Sequence, residues 1–194
     1  MHSPSHSKEI RRRTVCVFCG SSPGRDPSYA EAARELGALL AANGFSLVFG
    51  GGNIGLMGEV ARAVRAGGAP VIGVLPAFLR HLEPPLKSAE ELIITPDLQQ
   101  RKARMLALAD AFVILPGGLG TLDEYFEVLT SAQLHALGKP IVLMNTAGYF
   151  DPLKALLEHV VREGFANTSL FDLQHIVTSP DEALAALLLK SPAA

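Results

Sequence analysis

Short apolar runs alternate with amphipathic helical patterns from Thr14 onward, and few folds accommodate that alternation. The runs are Thr14–Cys19, Ser46–Phe49, Pro70–Leu75, Glu91–Thr95, Ala111–Leu115, Pro140–Met144 and a short Ile176–Thr178. Several are continuously apolar, as expected of strands buried on both faces of a parallel sheet. Helical periodicity fills the intervals at Ser28–Ala42, Leu56–Ala66, Leu98–Ala109, Leu122–Leu134, Tyr149–Glu163 and Pro180–Lys190. The expected architecture is α/β, a Rossmann-like three-layer sandwich with a mostly parallel sheet of about seven strands. Start signals support two of the helices. Ser179-Pro180-Asp181-Glu182 carries a capping Ser and a first-turn Pro, and Ser28-x-x-Glu31 has the form of a capping box.

Residues 1–13 are polar, end in Arg11-Arg12-Arg13 and read as a disordered tail; residues 14–190 read as a single Rossmann-like nucleotide-binding domain. The apolar run after the tail is too short for a signal-peptide core, and no stretch approaches the roughly 18 apolar residues of a membrane span. A cytoplasmic protein that binds no membrane is expected. With 48% hydrophobic and 19% charged residues, some apolar surface should be shared between subunits, so a homodimer is expected. The net charge of −2 supplies no electrostatic footprint for nucleic acid. The two cysteines form Cys16-Val17-Phe18-Cys19, but strand alternation sends residues three apart to opposite faces, which rules out a redox or metal pair. No metal site and no cofactor are expected.

Two glycine-rich loops join strands to helices. In Leu115-Pro116-Gly117-Gly118-Leu119-Gly120-Thr121-Leu122-Asp123-Glu124, glycines let the backbone approach a ligand, and the unpaired N–H groups of the following helix attract an anion. The bland alternative is a capping box, Thr121-x-x-Glu124. The other loop, Gly50-Gly51-Gly52-Asn53-Ile54-Gly55-Leu56-Met57-Gly58, satisfies G-x-G-x-x-G, yet it follows the second strand and the next strand ends Val74-Leu75-Pro76 without a ribose-binding acid. Both loops lie at carboxyl ends of strands, where a ligand crevice forms in such sheets. Gly51 and Gly52 are therefore candidate contacts.

The helix from Leu98 adds a third element. Leu98, Arg101, Met105 and Leu108 form one stripe, with Arg101 interrupting an apolar face. Such an Arg often snorkels outward. Because this helix opens at the same sheet edge as the glycine loops, Arg101 and Lys102 could instead meet an anionic ligand.

Taken together, Cys19-Gly20-Ser21-Ser22, Gly50-Gly51-Gly52-x-x-Gly55-Leu56-Met57-Gly58, Arg101-Lys102 and Pro116-Gly117-Gly118-x-Gly120-Thr121-x-x-Glu124 resemble the LOG (LONELY GUY) family over roughly Thr14 to Gly164. Those proteins, once labelled putative lysine decarboxylases, hydrolyse the N-glycosidic bond of cytokinin riboside 5′-monophosphates to free base and ribose 5-phosphate. The resemblance implies a catalytic pair at Arg101 and Glu124. It implies nucleotide contacts at Glu83, Lys102, the Gly117, Gly118, Gly120 and Thr121 turn, and Thr130. Departure of the base leaves positive charge on the ribose, which a carboxylate stabilises, while Arg101 would fix the substrate and hold Glu124 ionised.

The chain departs from the family pattern at two places. Leu98-Gln99-Gln100 stands where members commonly read Met-His-x, and Thr130-Ser131-Ala132-Gln133-Leu134-His135 where they read Thr-Trp-x-Gln-Leu-Gly. These changes bear on the base pocket and the subunit contact. The alternatives are molybdenum-cofactor carriers, which use the same kind of glycine loops, an AMP-binding module without turnover, and single-strand DNA binders of the distantly similar DNA-processing protein A kind. The intact Arg101 and Glu124 favour the enzyme, and 6% aromatics with a −2 charge disfavour DNA. A decarboxylase would need a pyridoxal-phosphate lysine, for which no lysine has a recognisable setting.

Overall fold

The computed structural model describes residues 12–81 and 91–189. The expected tail up to residue 11, Glu83, and Lys190, the expected end of the final helix, lie outside the described residues. In chain order the elements are β1 (Thr14–Phe18), α1 (Pro27–Ala42), β2 (Ser46–Phe49), α2 (Gly55–Ala66), β3 (Val71–Pro76), β4 (Glu91–Thr95), α3 (Leu98–Leu108), β5 (Ala111–Ile114), α4 (Leu119–Gln133), β6 (Ile141–Met144), α5 (Asp151–Arg162), β7 (His175–Val177) and α6 (Pro180–Leu188). Short 3₁₀ turns at Ala77–His81, Thr146–Gly148 and Thr168–Leu173 complete the described chain.

The seven strands of the described residues are all parallel, in the order β4-β3-β2-β1-β5-β6-β7. The chain builds outward from β1 to β4, and α3 then carries it back across the sheet to set β5 against the other side of β1. Strand order reverses at that point, so the loops leaving β1 and β5 diverge and open a crevice at the carboxyl edge. Register there pairs Phe18 with Ile114.

Alternation along the continuously apolar strands supplies two cores. Val15, Val17, Leu47, Phe49, Val113 and Val142 face α1, α2 and α6. Cys16, Phe18, Val48, Phe112, Ile114 and Leu143 face α3, α4 and α5. Each such side chain contributes about 1.5–3 kcal/mol by leaving water, so a shift of one residue in register would forfeit both layers together. Cys16 and Cys19 fall in different cores, as the alternation requires, and burial pushes both thiols above their ordinary range.

Four helix starts differ from the sequence reading, α2 by a single residue, at Gly55 rather than Leu56. α1 is capped by Asp26, whose Oδ1 accepts from the Ser28 N–H at 2.9 Å while Pro27 presets the first turn; Ser28 is inside the helix, so Ser28-x-x-Glu31 is no capping box. α4 begins three residues early, at Leu119, with Gly118 as an extended N-cap residue. α5 begins at Asp151 rather than Tyr149, because the Asn145 side chain accepts from the Phe150 N–H and holds the preceding turn apart from the helix. At α6 the expected cap is present, with Ser179 Oγ accepting from the Glu182 N–H at 3.3 Å.

Candidate active site

Three segments meet at the switch point between β1 and β5. Gly20, just past β1, donates its N–H to Pro116 O at 3.0 Å, tying the β1 loop to the turn after β5. The Gly20 carbonyl accepts from the N–H groups of Leu56 and Met57 at 3.0 and 3.3 Å. These are first-turn donors of α2, the groups that a phosphate would have engaged. The second glycine loop therefore docks against the first loop and forms a wall of the site. Gly55 makes the docking possible, with φ of 58° and no room for a Cβ against the Ser21 and Ser22 backbone. Gly51 and Gly52 are buried but do not line the cavity described next.

That cavity, of 280 Å³, is lined by Cys19, Gly20, Ser21, Met57, Leu79 and Leu98 and by Arg101, Gly118, Leu119, Gly120, Thr121 and Glu124. Among the described residues no side chain caps α4, which leaves its first-turn N–H groups placed to meet an anion within the cavity. Thr121 is the third residue of the helix and buried against Gly117, where a Cβ would strike its Oγ1. A capping box at Thr121 and Glu124 is thereby excluded. Gly117 lies behind the cavity, whereas Gly118, Gly120 and Thr121 line it.

Arg101 and Glu124 form the charged centre. Asp97 caps α3 by accepting from the Gln100 N–H at 2.7 Å, which sets Arg101 in the first turn. Its side chain turns inward rather than snorkelling. Nε donates to Val74 O at 3.1 Å, and Nη1 lies 2.6 Å from Glu124 Oε1. The two side chains are only 11% and 7% exposed, so this pair is largely withdrawn from water. Burial pushes the Glu124 carboxyl up to about 7, against the lowering effect of the Arg101 charge and hydrogen bond. Arg101 thus acts in the expected direction, toward holding Glu124 ionised, but burial opposes it. Desolvation outweighs the ion pair, leaving a carboxyl that titrates near neutrality.

Lys102 follows Arg101 by one helical step and so points elsewhere. Its Nζ lies 2.8 Å from Asp123 Oδ2 and 2.8 Å from Glu127 Oε2, and with Thr130 and Ser131 it borders a separate shallow depression. α3 and α4 are therefore joined twice, inward by Arg101 and Glu124, outward by Lys102 and its two carboxylates. Ser131, one of the departures from the family pattern, belongs to the outer depression; Leu98 lines the cavity, and Gln99 is exposed. His135 sits past the end of α4, away from the Arg101 and Glu124 cavity. Sequence reasoning passed over Ser21 and Met57, although both stood inside quoted motifs.

A family model described as possible lysine decarboxylase matches residues 57–187. No lysine is among the described residues lining the cavity. Two cytokinin riboside 5′-monophosphate phosphoribohydrolases of Arabidopsis thaliana are 44% identical over 175 residues, covering 90% of this chain and 81% of theirs, and 46% identical over 166 residues, covering 86% and 76%. Among solved structures, the molybdenum cofactor binding protein of Rippkaea orientalis superposes with a TM-score of 0.69 at 24% identity over 91% of this chain and 95% of that one. DNA processing protein A of Helicobacter pylori does so with 0.55 at 14%, over 91% and 80%. Those two likenesses establish shared architecture. With the buried Arg101 and Glu124 pair beside an uncapped glycine-rich helix start, and with relatives at this identity along most of its length, the chain belongs to the LOG family of cytokinin riboside 5′-monophosphate phosphoribohydrolases, the family whose model bears the older lysine decarboxylase description.

Proposed function

We propose that this protein hydrolyses the N-glycosidic bond of cytokinin-type adenosine 5′-monophosphates, releasing free base and ribose 5-phosphate. The observation that carries this reading is the nearly buried Arg101 and Glu124 pair, 2.6 Å apart, in a cavity whose neighbouring wall is the open N-terminus of α4. The helix start suits the phosphate, and the carboxylate suits the cationic ribosyl group. As the C1′–N bond breaks, its electron pair leaves with the base and charge spreads over C1′ and the ring oxygen. Glu124, ionised, stabilises that charge and orients water. The water oxygen bonds to C1′, and its released proton balances the departing base. Arg101 holds Glu124 in place and meets the substrate's oxygens.

Gly118, Gly120 and Thr121 belong to the substrate contacts on this reading, as do Lys102, Thr130 and Glu83. No cofactor or metal enters it. Lys102 and Thr130 border the outer depression, so they would act on a substrate extending past the cavity mouth or through a second subunit. A homodimer is part of the proposal, supported by the exposed apolar side chains Leu119 and Leu98, which line the cavity, and by exposed Phe78. So is action in the cytoplasm; no described helix is long and apolar enough to cross a membrane.

Incubation of the purified protein with AMP and isopentenyl-AMP, with chromatography for free base, tests the activity. Release from the monophosphates with little from the nucleosides is expected, since remote phosphate binding contributes to positioning as well as affinity. Saturable AMP binding without base release would favour a carrier instead. Sedimentation at micromolar concentration tests the dimer, and an active monomer would refute it.

A further inference from the structure

A second chamber, also of 280 Å³, adjoins the Arg101 and Glu124 cavity and shares Gly20, Ser21 and Gly118 with it. Tyr149 stands in this second chamber together with Gly117, and neither lines the first. The Tyr149 hydroxyl donates to the Gly117 carbonyl at 2.5 Å. That contact reaches the one turn whose placement matters for α4. Gly118 offers no side chain to cap the helix, and the peptides on either side of Gly117 set where the first-turn N–H groups point. From the β1 side the turn is held by the Gly20 N–H on Pro116 O. From the β6 side it is held by Tyr149.

Tyr149 is itself fixed. Its ring meets Tyr29 edge-on at 5.5 Å and Phe150 at 4.9 Å. Below it, buried Asn145 at the end of β6 accepts from the Phe150 N–H at 2.7 Å and donates to Asp151 Oδ1 at 2.8 Å. The Asn145 N–H goes to Val177 O at 2.7 Å, anchoring the turn to β7. The hydroxyl is therefore presented from a braced turn and not from a free side chain.

From this geometry we infer that Tyr149 is a positioning residue: its hydroxyl latches the Gly117 carbonyl and so aims the first-turn N–H groups of α4 at the anionic group of the substrate. What is aimed at rests on the phosphoribohydrolase reading; the latch does not. A misplacement of about 1 Å at such donors is enough to lower turnover, while the ring contacts and the fold remain.

Tyr149→Phe keeps the ring and removes the hydroxyl, and two readouts are needed. Amide hydrogen exchange across residues 117–122 of the substrate-free protein should speed up in the variant, with the thermal transition close to the parent. With AMP, kcat should fall roughly tenfold while KM moves less than about threefold. Exchange in that segment equal to the parent overturns the latch, whatever happens to turnover. Faster exchange with unchanged kcat overturns the positioning role. If the parent protein itself releases no base from AMP, the functional reading fails, and the exchange experiment still decides the latch.

Discussion

Gly50 lies where any side chain would strike the guanidinium of Arg101. A Cβ built on Gly50 meets Arg101 Nη2 at less than contact distance and Met57 Sδ at 2.8 Å. Of the three consecutive glycines, this one shapes the site, by leaving the volume that Arg101 occupies as it turns from α3 toward Glu124. Gly50→Ala should therefore displace Arg101, costing about 1–3 kcal/mol as overpacking does and lowering turnover about a hundredfold. Thermal melting and AMP hydrolysis measured side by side check this. Normal turnover in the alanine variant would mean that Arg101 need not sit where it does.

His135 offers a test in the opposite direction. It is the residue after Leu134, the C-cap of α4, and it holds φ of 56°, with the Ala136 N–H returning to Ser131 O at 2.9 Å. This is the left-handed position that glycine fills at helix ends, and a side chain there carries strain of roughly 1 kcal/mol. His135→Gly should raise stability by about 0.5–1 kcal/mol, a gain of about 1–4 °C in Tm for a chain of this size. Turnover should not change, because His135 does not border the Arg101 and Glu124 cavity. Loss of activity on this substitution would mean that the imidazole serves the site.

The strand cores were legible because a strand buried on both faces must be apolar at every position, as Val113 and Ile114 are, and no helix pattern imitates so short a run. Arg101 and Glu124 were legible through motif resemblance. What periodicity could not convey was direction. Arg101 on an apolar stripe fits an outward or an inward side chain equally well, and only the carbonyl of Val74 and the space at Gly50 decide between them. Nor could a G-x-G-x-x-G pattern reveal that the first donors of α2 are spent on the Gly20 carbonyl, since that bond joins loops more than thirty residues apart. Tyr149 carried no signal in sequence, because its partner is a backbone oxygen.

Glu124→Gln separates chemistry from architecture. With α4 starting at Leu119, Glu124 has no capping role to lose, and its structural duty is the partnership with Arg101. An amide can still accept from the guanidinium and matches the neutral carboxyl that burial favours, so the variant should fold with a thermal transition close to the parent at pH 7. Turnover should fall a hundredfold or more, the order seen when a preorganised charge facing a transition state is removed. Hydrolysis of AMP at near-parent rate would leave the pair as a purely structural bridge.

Titration of the same carboxyl predicts that activity and stability move in opposite directions with pH. Burial raises Glu124 from an ordinary 4.5 to about 7 in the folded protein. Between those values the folded state holds a proton that the unfolded chain has released, so this group's contribution to stability is complete below about 4.5 and is lost as pH rises toward 7. The catalytic form is the ionised one, so kcat/KM for AMP should climb through about pH 7 and level off above it. Denaturant unfolding from pH 5 to 8 should show the parent losing stability relative to Glu124→Gln, in which position 124 does not titrate. Arg101→Ala should steepen that loss, because the positive charge that opposes the upward shift is gone. A kcat/KM profile flat from pH 6 to 8, or falling across it, would show that the reacting state does not require the Glu124 carboxylate.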